Sequence, residues 1–498
     1  MQKKTVWVFG DQLNRLIGAL REATPQSHRV LIIESGQKIA SKRWHVQRAH
    51  FIVASMRRFA QELAADGFEV DYRLATTMRS GLNAHIAEFQ PEEVVATEPN
   101  SYSAREMLKN MPVRCVKSDQ FLCHPDAYRE FMGVRKTVKM EDFYRWQRKR
   151  LSVLMDGNEP VAGRWNFDED NRQPPPKTDH DRWPVPESVP LDALDQQVIA
   201  DVAPYTWGAP PAGLWATTRA GALARLERFV TEVLPMFGEH EDAMLKSNWH
   251  LAHSLLSPYL NNGLLLPGEV VDAVVAEFEK GNVPINSAEG FLRQVIGWRE
   301  YIWNCYWQWM PNYAQMNELS AVQPLPKLFT APEKTHMSCM KSVLEGVYEH
   351  SYAHHIERLM VLGNFSLIAG INPQELTQWM WNSFVDAAEW VMVPNVVGMS
   401  QHADGGMLAT KPYASGGAYI DRMSDHCKGC AYDRKKRVGE DACPFTVLYW
   451  DFFLRHEEKF VKNPRVARQV RAAQQLADRD ELQATAVTIL QRLQSGEL

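Results

Sequence analysis

Residues 5–35, TVWVFGDQLNRLIGALREATPQSHRVLIIES, carry the alternation that decides the fold class. The short apolar run VWVFG reads as a strand, Leu13 to Leu20 follows with helical spacing, and VLIIES repeats the strand pattern. Working outward, a long helix is expected from about Trp44 to Leu63, a strand at FEVDYRL, a helix near Leu82 to Phe89, and strands within EEVVATEP and PVRCVKS. Strands alternating with helices of this length predict an α/β domain built on a doubly wound parallel sheet. Gly10, Asp11, Glu34 and the turn Thr97-Glu98-Pro99 then fall at the carboxyl ends of strands, where such sheets bind ligands. GDQL is not a glycine-rich phosphate loop, which argues against a dinucleotide there.

The pattern changes twice downstream. Residues 1–135 read as the α/β domain, 136–216 as an interdomain linker with the basic run RWQRKR and a proline-rich tract, and 217–498 as an all-α domain. Three-to-four spacing recurs in ARLERFVTEVLPMF, GEVVDAVVAEFEK, FLRQVIGWREYIW, MKSVLEGVYEH, IERLMVLGNFSLIAG and PQELTQWMWNSFV, and the stretch Arg465 to Leu493 is also helical in pattern.

With 45% hydrophobic and 23% charged residues the composition is that of an ordinary globular protein, and no apolar run is long enough to span a bilayer. The opening MQKKTVWVFGDQL lacks the apolar stretch of a secretory signal, so a cytoplasmic protein is expected. A formal net charge of −5 gives no global sign of nucleic-acid binding, which must rest on local patches such as Arg148, Lys149, Arg150 and the Arg434 to Arg437 run.

Seven cysteines do not suggest a disulfide scaffold. Cys427 and Cys430 stand as CKGC, Cys443 precedes a proline in ACPF, and Cys339 lies upstream in HMSCMKS. Two thiolates at that spacing bind one metal centre, and two more complete a four-sulfur set, which admits either zinc or an iron–sulfur cluster. Cys115, Cys123 and Cys305 sit in apolar sequence and are expected to be buried.

SLLSPYLNNG (254–263), GWREYIW around Trp298, Arg299 and Glu300, ASGGAYIDRM and the four cysteines together resemble the photolyase and cryptochrome family, in its bacterial iron–sulfur branch. The resemblance runs through nearly the whole chain. It implies light-driven repair of (6-4) pyrimidine photoproducts in UV-damaged DNA by a monomer carrying FAD, a 4Fe-4S cluster on Cys339, Cys427, Cys430 and Cys443, and a 6,7-dimethyl-8-ribityllumazine antenna near Asp11, Glu34 and Trp44. FAD contacts are implied for Ser254, Leu255, Leu256, Ser257, Trp298, Arg299, Met392 and Asn395, with Arg358 and Asp386 as an ion pair beside the ring. Physical chemistry agrees with that set, because hydroxyl and backbone donors suit a pyrophosphate and a fixed cation suits a ring that turns negative on reduction.

Trp379 is the candidate electron donor. Two positions that carry relay tryptophans elsewhere in the family read Val396 and Pro373, and Met392 replaces an asparagine facing the flavin. A (6-4) lesion needs a proton as the electron arrives, and imidazole can supply it. His355 is assigned that role with His354 as helper, since His354-His355 precede Arg358 by one helical turn. Tyr413 and Tyr419 are expected at the lesion pocket, where a flipped base could stack, with Leu359 and Met399 lining it. Asp168 and Arg172 are expected near DNA or a divalent cation such as Mg2+. A cryptochrome-type photoreceptor is the rival reading from the same motifs, and a DNA-binding iron–sulfur module without light chemistry is the more distant one.

Overall fold

The computed structural model describes residues 2–498. Strands β1 (Lys4–Val8), β2 (His28–Ser35), β3 (Glu69–Ala75), β4 (Val94–Thr97) and β5 (Arg114–Val116) form one parallel sheet in the order β3-β2-β1-β4-β5. The unbroken apolar runs follow from burial of both faces. Trp7, Phe9, Leu31 and Ile33 pack to one side with Leu82, whereas Val6, Val8, Val30 and Ile32 pack to the other with Phe51, Phe59 and Leu63 of the helix Val46–Ala65. The remainder is chiefly helical, apart from irregular connections and a small antiparallel pairing of Met155–Asp156 with Glu159–Pro160.

The segment expected to be helical from Leu13 to Leu20 forms helix only over Gly18–Arg21. Its backbone bonds go elsewhere: Leu13 N–H donates to Asn262 O at 2.9 Å, and Asn14 Nδ2 donates to Gly263 O at 3.0 Å. GDQLN is thereby pinned to the end of the helix Ser257–Asn262. Gly263 makes this possible, because it ends that helix at φ +89° and a Cβ there would stand 2.9 Å from Leu13 N. The sheet thus positions the first of the motif helices.

Residues 136–216 are folded onto both parts. Met140–Leu151 packs on the segment Arg293–Arg299, and Ala193–Val202 packs on Val46–Ala65 through a buried His50–Asp195 contact of 2.9 Å. Arg148 is fully buried and donates to Val153 O and Leu154 O, so it cannot reach a phosphate as the sequence suggested. The downstream basic run is matched by carboxylates as well: Arg434 by Asp421, Lys436 by Asp441 and Arg437 by Asp478. Cys115 is exposed, contrary to expectation, because β5 is an edge strand, while Cys123 and Cys305 are buried.

Among the helices, Arg293–Arg299, Glu357–Gly363 and Pro394–Ser400 widen into π-helical turns. Such turns re-aim side chains and concentrate at functional sites. The C-terminal region holds a helix not anticipated from sequence, Pro444–Arg455, and the expected final helix is broken into Ala467–Gln474 and Arg479–Ser495. Among the described residues no helix is long and apolar enough to cross a membrane.

Candidate active site

Arg358 and Asp386 form a two-pronged ion pair, with Nη1 donating to Oδ1 at 3.0 Å and Nη2 to Oδ2 at 3.2 Å. The pair is preorganised from every side. Arg358 Nε donates to Ala353 O at 2.6 Å, and its guanidinium lies 3.9 Å above the Phe384 ring. Asp386 accepts from the Ser257 hydroxyl at 2.7 Å, and Asn261 Nδ2 holds its backbone carbonyl at 2.8 Å. The motif helix and the ion pair, 129 residues apart in sequence, are therefore one unit. Asp386→Asn should leave the half-buried Arg358 cation without its counter-charge, a loss on the order of 2 kcal/mol. Urea unfolding would report it.

His355 lies one turn before Arg358. It is exposed to solvent, yet Ile356 and His354 beside it are buried, and burial followed by the Arg358 charge pushes its imidazole down to about 4. Water therefore reaches this ring within a densely packed neighbourhood. His354 is fully buried and stacks on His253 with centroids 4.3 Å apart and planes at 13°. Desolvation, reinforced by His253, His355 and Arg358, holds His354 neutral.

Trp379 reaches the pair through one ring: it meets Phe384 edge-on at 5.9 Å, and Phe384 underlies Arg358. Its indole N–H is buried without a partner. Trp381 shares its helix, whereas Trp390 belongs to a separate aromatic group with Phe121 and Trp303. That group also receives Arg299, which lies 4.3 Å over Phe121 and pairs with buried Glu300 at 2.9 Å.

The four cysteines come together. Cys339, Cys427, Cys430 and Cys443 line one small enclosed cavity with Met337, Ile420 and Phe445. Burial raises the Cys339 thiol far above its usual range, with the other three thiols adding to the rise. Among the described residues no three His, Cys, Asp or Glu groups are disposed to hold a single metal ion.

Comparison with known proteins is decisive at this point. A (6-4) photolyase of Agrobacterium fabrum is 38% identical over 505 aligned residues, covering 98% of this chain and 99% of its own. The chain belongs to the photolyase family. A family model described as deoxyribodipyrimidine photo-lyase-related protein matches residues 6–210. A bacterial class III photolyase from Agrobacterium tumefaciens shares the fold at a TM-score of 0.57 and 15% identity, over 99% of this chain and 98% of the other. An uncharacterized protein of Acanthamoeba polyphaga mimivirus is 32% identical over 101 residues, 20% of this chain and 75% of its own.

A flavin cofactor and a DNA substrate go with the family. The photolyase site fits a flavin: a fixed cation backed by a carboxylate lies one turn from the solvent-reached His355, and the serine-bearing segment 254–257 adjoins it. Leu255 holds φ +56°, and Ser254 Oγ accepts from Leu256 N–H at 3.3 Å, so this segment is a shaped turn leading into Ser257–Asn262. Trp298 is half-buried and meets Tyr301 edge-on, Met392 is buried, and Asn395 is half-buried with its amide donating to Val391 O at 2.8 Å. Leu359 and Met399 are buried in the core around His354.

Tyr413 and Tyr419 are half-buried and close enough to Arg172 and Asp242 for those charges to act on both hydroxyls, although burial is what chiefly raises them. Asp168 joins this group by accepting from Arg172 at 2.9 Å and pairing with Arg293. The linker therefore contributes to the same side of the site as the two tyrosines. The antenna candidates are divided between two places. Glu34 is held by Arg57 at 3.0 Å and by Tyr72, beside a cleft of about 1010 Å³ that includes neither Asp11 nor Trp44. Asp11 instead lies near Lys38 and Asn100, and Trp44 is buried with Arg48 4.7 Å over its ring.

His253 and Glu357 were not singled out from sequence. The signal for His253 was its place in LAHSLLSPY, directly ahead of the serine motif; for Glu357 it was a carboxylate inside an otherwise apolar helix.

Proposed function

We propose that this photolyase repairs (6-4) pyrimidine photoproducts in UV-damaged DNA, driven by light. The observation that carries the reading is the histidine pair set one turn from the Arg358–Asp386 pair, with His355 open to solvent. The agrobacterial relative named (6-4) photolyase supports it. FAD is the flavin this site suits: Ser254 keeps a hydroxyl hydrogen free for its phosphates, Arg358 is a cation suited to its reduced ring, and Ser257 uses its own hydrogen to hold Asp386. Once bound and reduced, that group supplies an electron on illumination. The chain's own residues do the rest: Tyr413 and Tyr419 offer flat faces to a base taken out of the helix, and His355, neutral at rest, takes up and passes the proton for the migrating oxygen as negative charge gathers there. Trp379 serves to restore the reduced state.

Four thiols from three separate segments around one cavity support a 4Fe-4S cluster. A 6,7-dimethyl-8-ribityllumazine antenna in the first part of the chain, with Asp11 and Trp44 as contacts, completes the reading. Illumination of the purified protein with DNA carrying (6-4) or cyclobutane lesions tests the activity. Repair of the former alone is expected; repair of neither would leave the photoreceptor reading, and repair of the latter would overturn the lesion assignment.

A further inference from the structure

Burial holds the His354 imidazole neutral, so something must fix which of its ring nitrogens carries the hydrogen. For His354 the structure offers one candidate. Glu357 is buried on the same turn, its Oε2 accepting the His354 backbone N–H at 3.2 Å and its Oε1 standing 3.6 Å from His354 Nε2. Both His354 ring nitrogens are buried and unpartnered, and stacking on His253 fixes the plane in which the ring lies. A small rotation of the carboxyl closes the gap to a hydrogen bond.

We propose that Glu357, as a neutral carboxylic acid, is the positioning residue of the lesion site: it donates to His354 Nε2 and so places the imidazole hydrogen on Nδ1. The proposal rests on the repair reading. Burial pushes the Glu357 carboxyl up to about 8, against lowering by the His354 N–H and Arg358, so the acid form persists through neutral pH. The charged and titratable groups around this ring are His253, His355, Arg358 and His426, with Arg358 compensated by Asp386. None is a second carboxylate free to take over the bond. The sign follows directly: below about 8 the acid donates, and as pH rises through that value the donor is lost and a carboxylate faces the ring.

Glu357→Gln and Glu357→Ala separate positioning from bulk structure. The glutamine carbonyl can accept the His354 N–H while its amide donates to Nε2 at any pH. Wild-type repair should fall as pH rises through about 8. Glu357→Gln should stay within about threefold of wild type at neutral pH and lose that alkaline decline, whereas Glu357→Ala should repair about tenfold more slowly, the size of one lost buried hydrogen bond. A Gln variant that keeps the wild-type alkaline decline overturns the proposal. Infrared spectroscopy reads the same group without activity: in the wild type minus Glu357→Gln difference spectrum, which cancels the other buried carboxyls such as Glu241, a protonated-carboxyl C=O band should be present at neutral pH and vanish on alkaline titration. Absence of that band from the wild type overturns the proposal even if repair is robust. A protein that shows the band and its titration but repairs no lesion refutes the repair reading instead.

Discussion

His355→Ala is expected to slow (6-4) repair by roughly 10²–10⁴-fold, the usual worth of a positioned general acid. Folding and binding should survive. His355 makes no hydrogen bond that its loss would orphan, and its ring already faces open space, so truncation leaves neither an unpaired buried partner nor a closed void. Flavin content, photoreduction and affinity for damaged DNA are therefore expected near wild type, and only turnover under light should collapse. His354→Ala differs, because it removes a fully buried ring from the His253 stack and should cost stability as well as rate. Comparing the two variants at equal folded concentration isolates the proton step. Repair by His355→Ala within a few-fold of wild type would remove this residue from the chemistry.

How much of this was legible in the chain follows from where the determining interactions are local. The sheet could be read because strands covered on both faces leave unbroken apolar runs, as VWVFG and VLIIES do. The helical region could be read because amphipathic spacing is a short-range property. The false helix at Leu13–Leu20 failed because its backbone partners, Asn262 and Gly263, lie about 250 residues away, a separation that Asn14 and Gly263 span at |i−j| of 249. RWQRKR misled for a related reason: a basic run looks solvated, yet Arg148 turns inward to cap carbonyls. The π-helical widening at three of the site helices was invisible, since the sequence period barely changes when one residue is added to a turn.

The four-cysteine site makes the other large prediction. Cys339 begins the helix Ser338–His350, which leads directly into Ser351–His355; Cys427 and Cys430 lie in the loop after Gly417–Met423; Cys443 caps Pro444–Arg455. A centre bound here would tie together three segments that also share one apolar core. Burial pushes the Cys427 thiol up to about 12 and raises Cys443 as well, so without a metal these groups stay protonated and repel no one. Binding must strip those protons, and the binding energy then becomes folding energy. For structural metal sites that is on the order of 10 kcal/mol, comparable with the whole stability of a typical domain. Cys430→Ala is accordingly expected to give protein that loses its metal, aggregates or unfolds well below the wild-type temperature, and loses flavin with it, because the His350–Arg358 stretch is no longer held. Cys115→Ala, at an exposed thiol on β5, should change nothing and serves as the control. Wild type should contain about four irons per chain with matching sulfide. One zinc and no iron would refute the cluster, and a fully folded, flavin-loaded Cys430→Ala without metal would show that apolar packing alone holds these segments together.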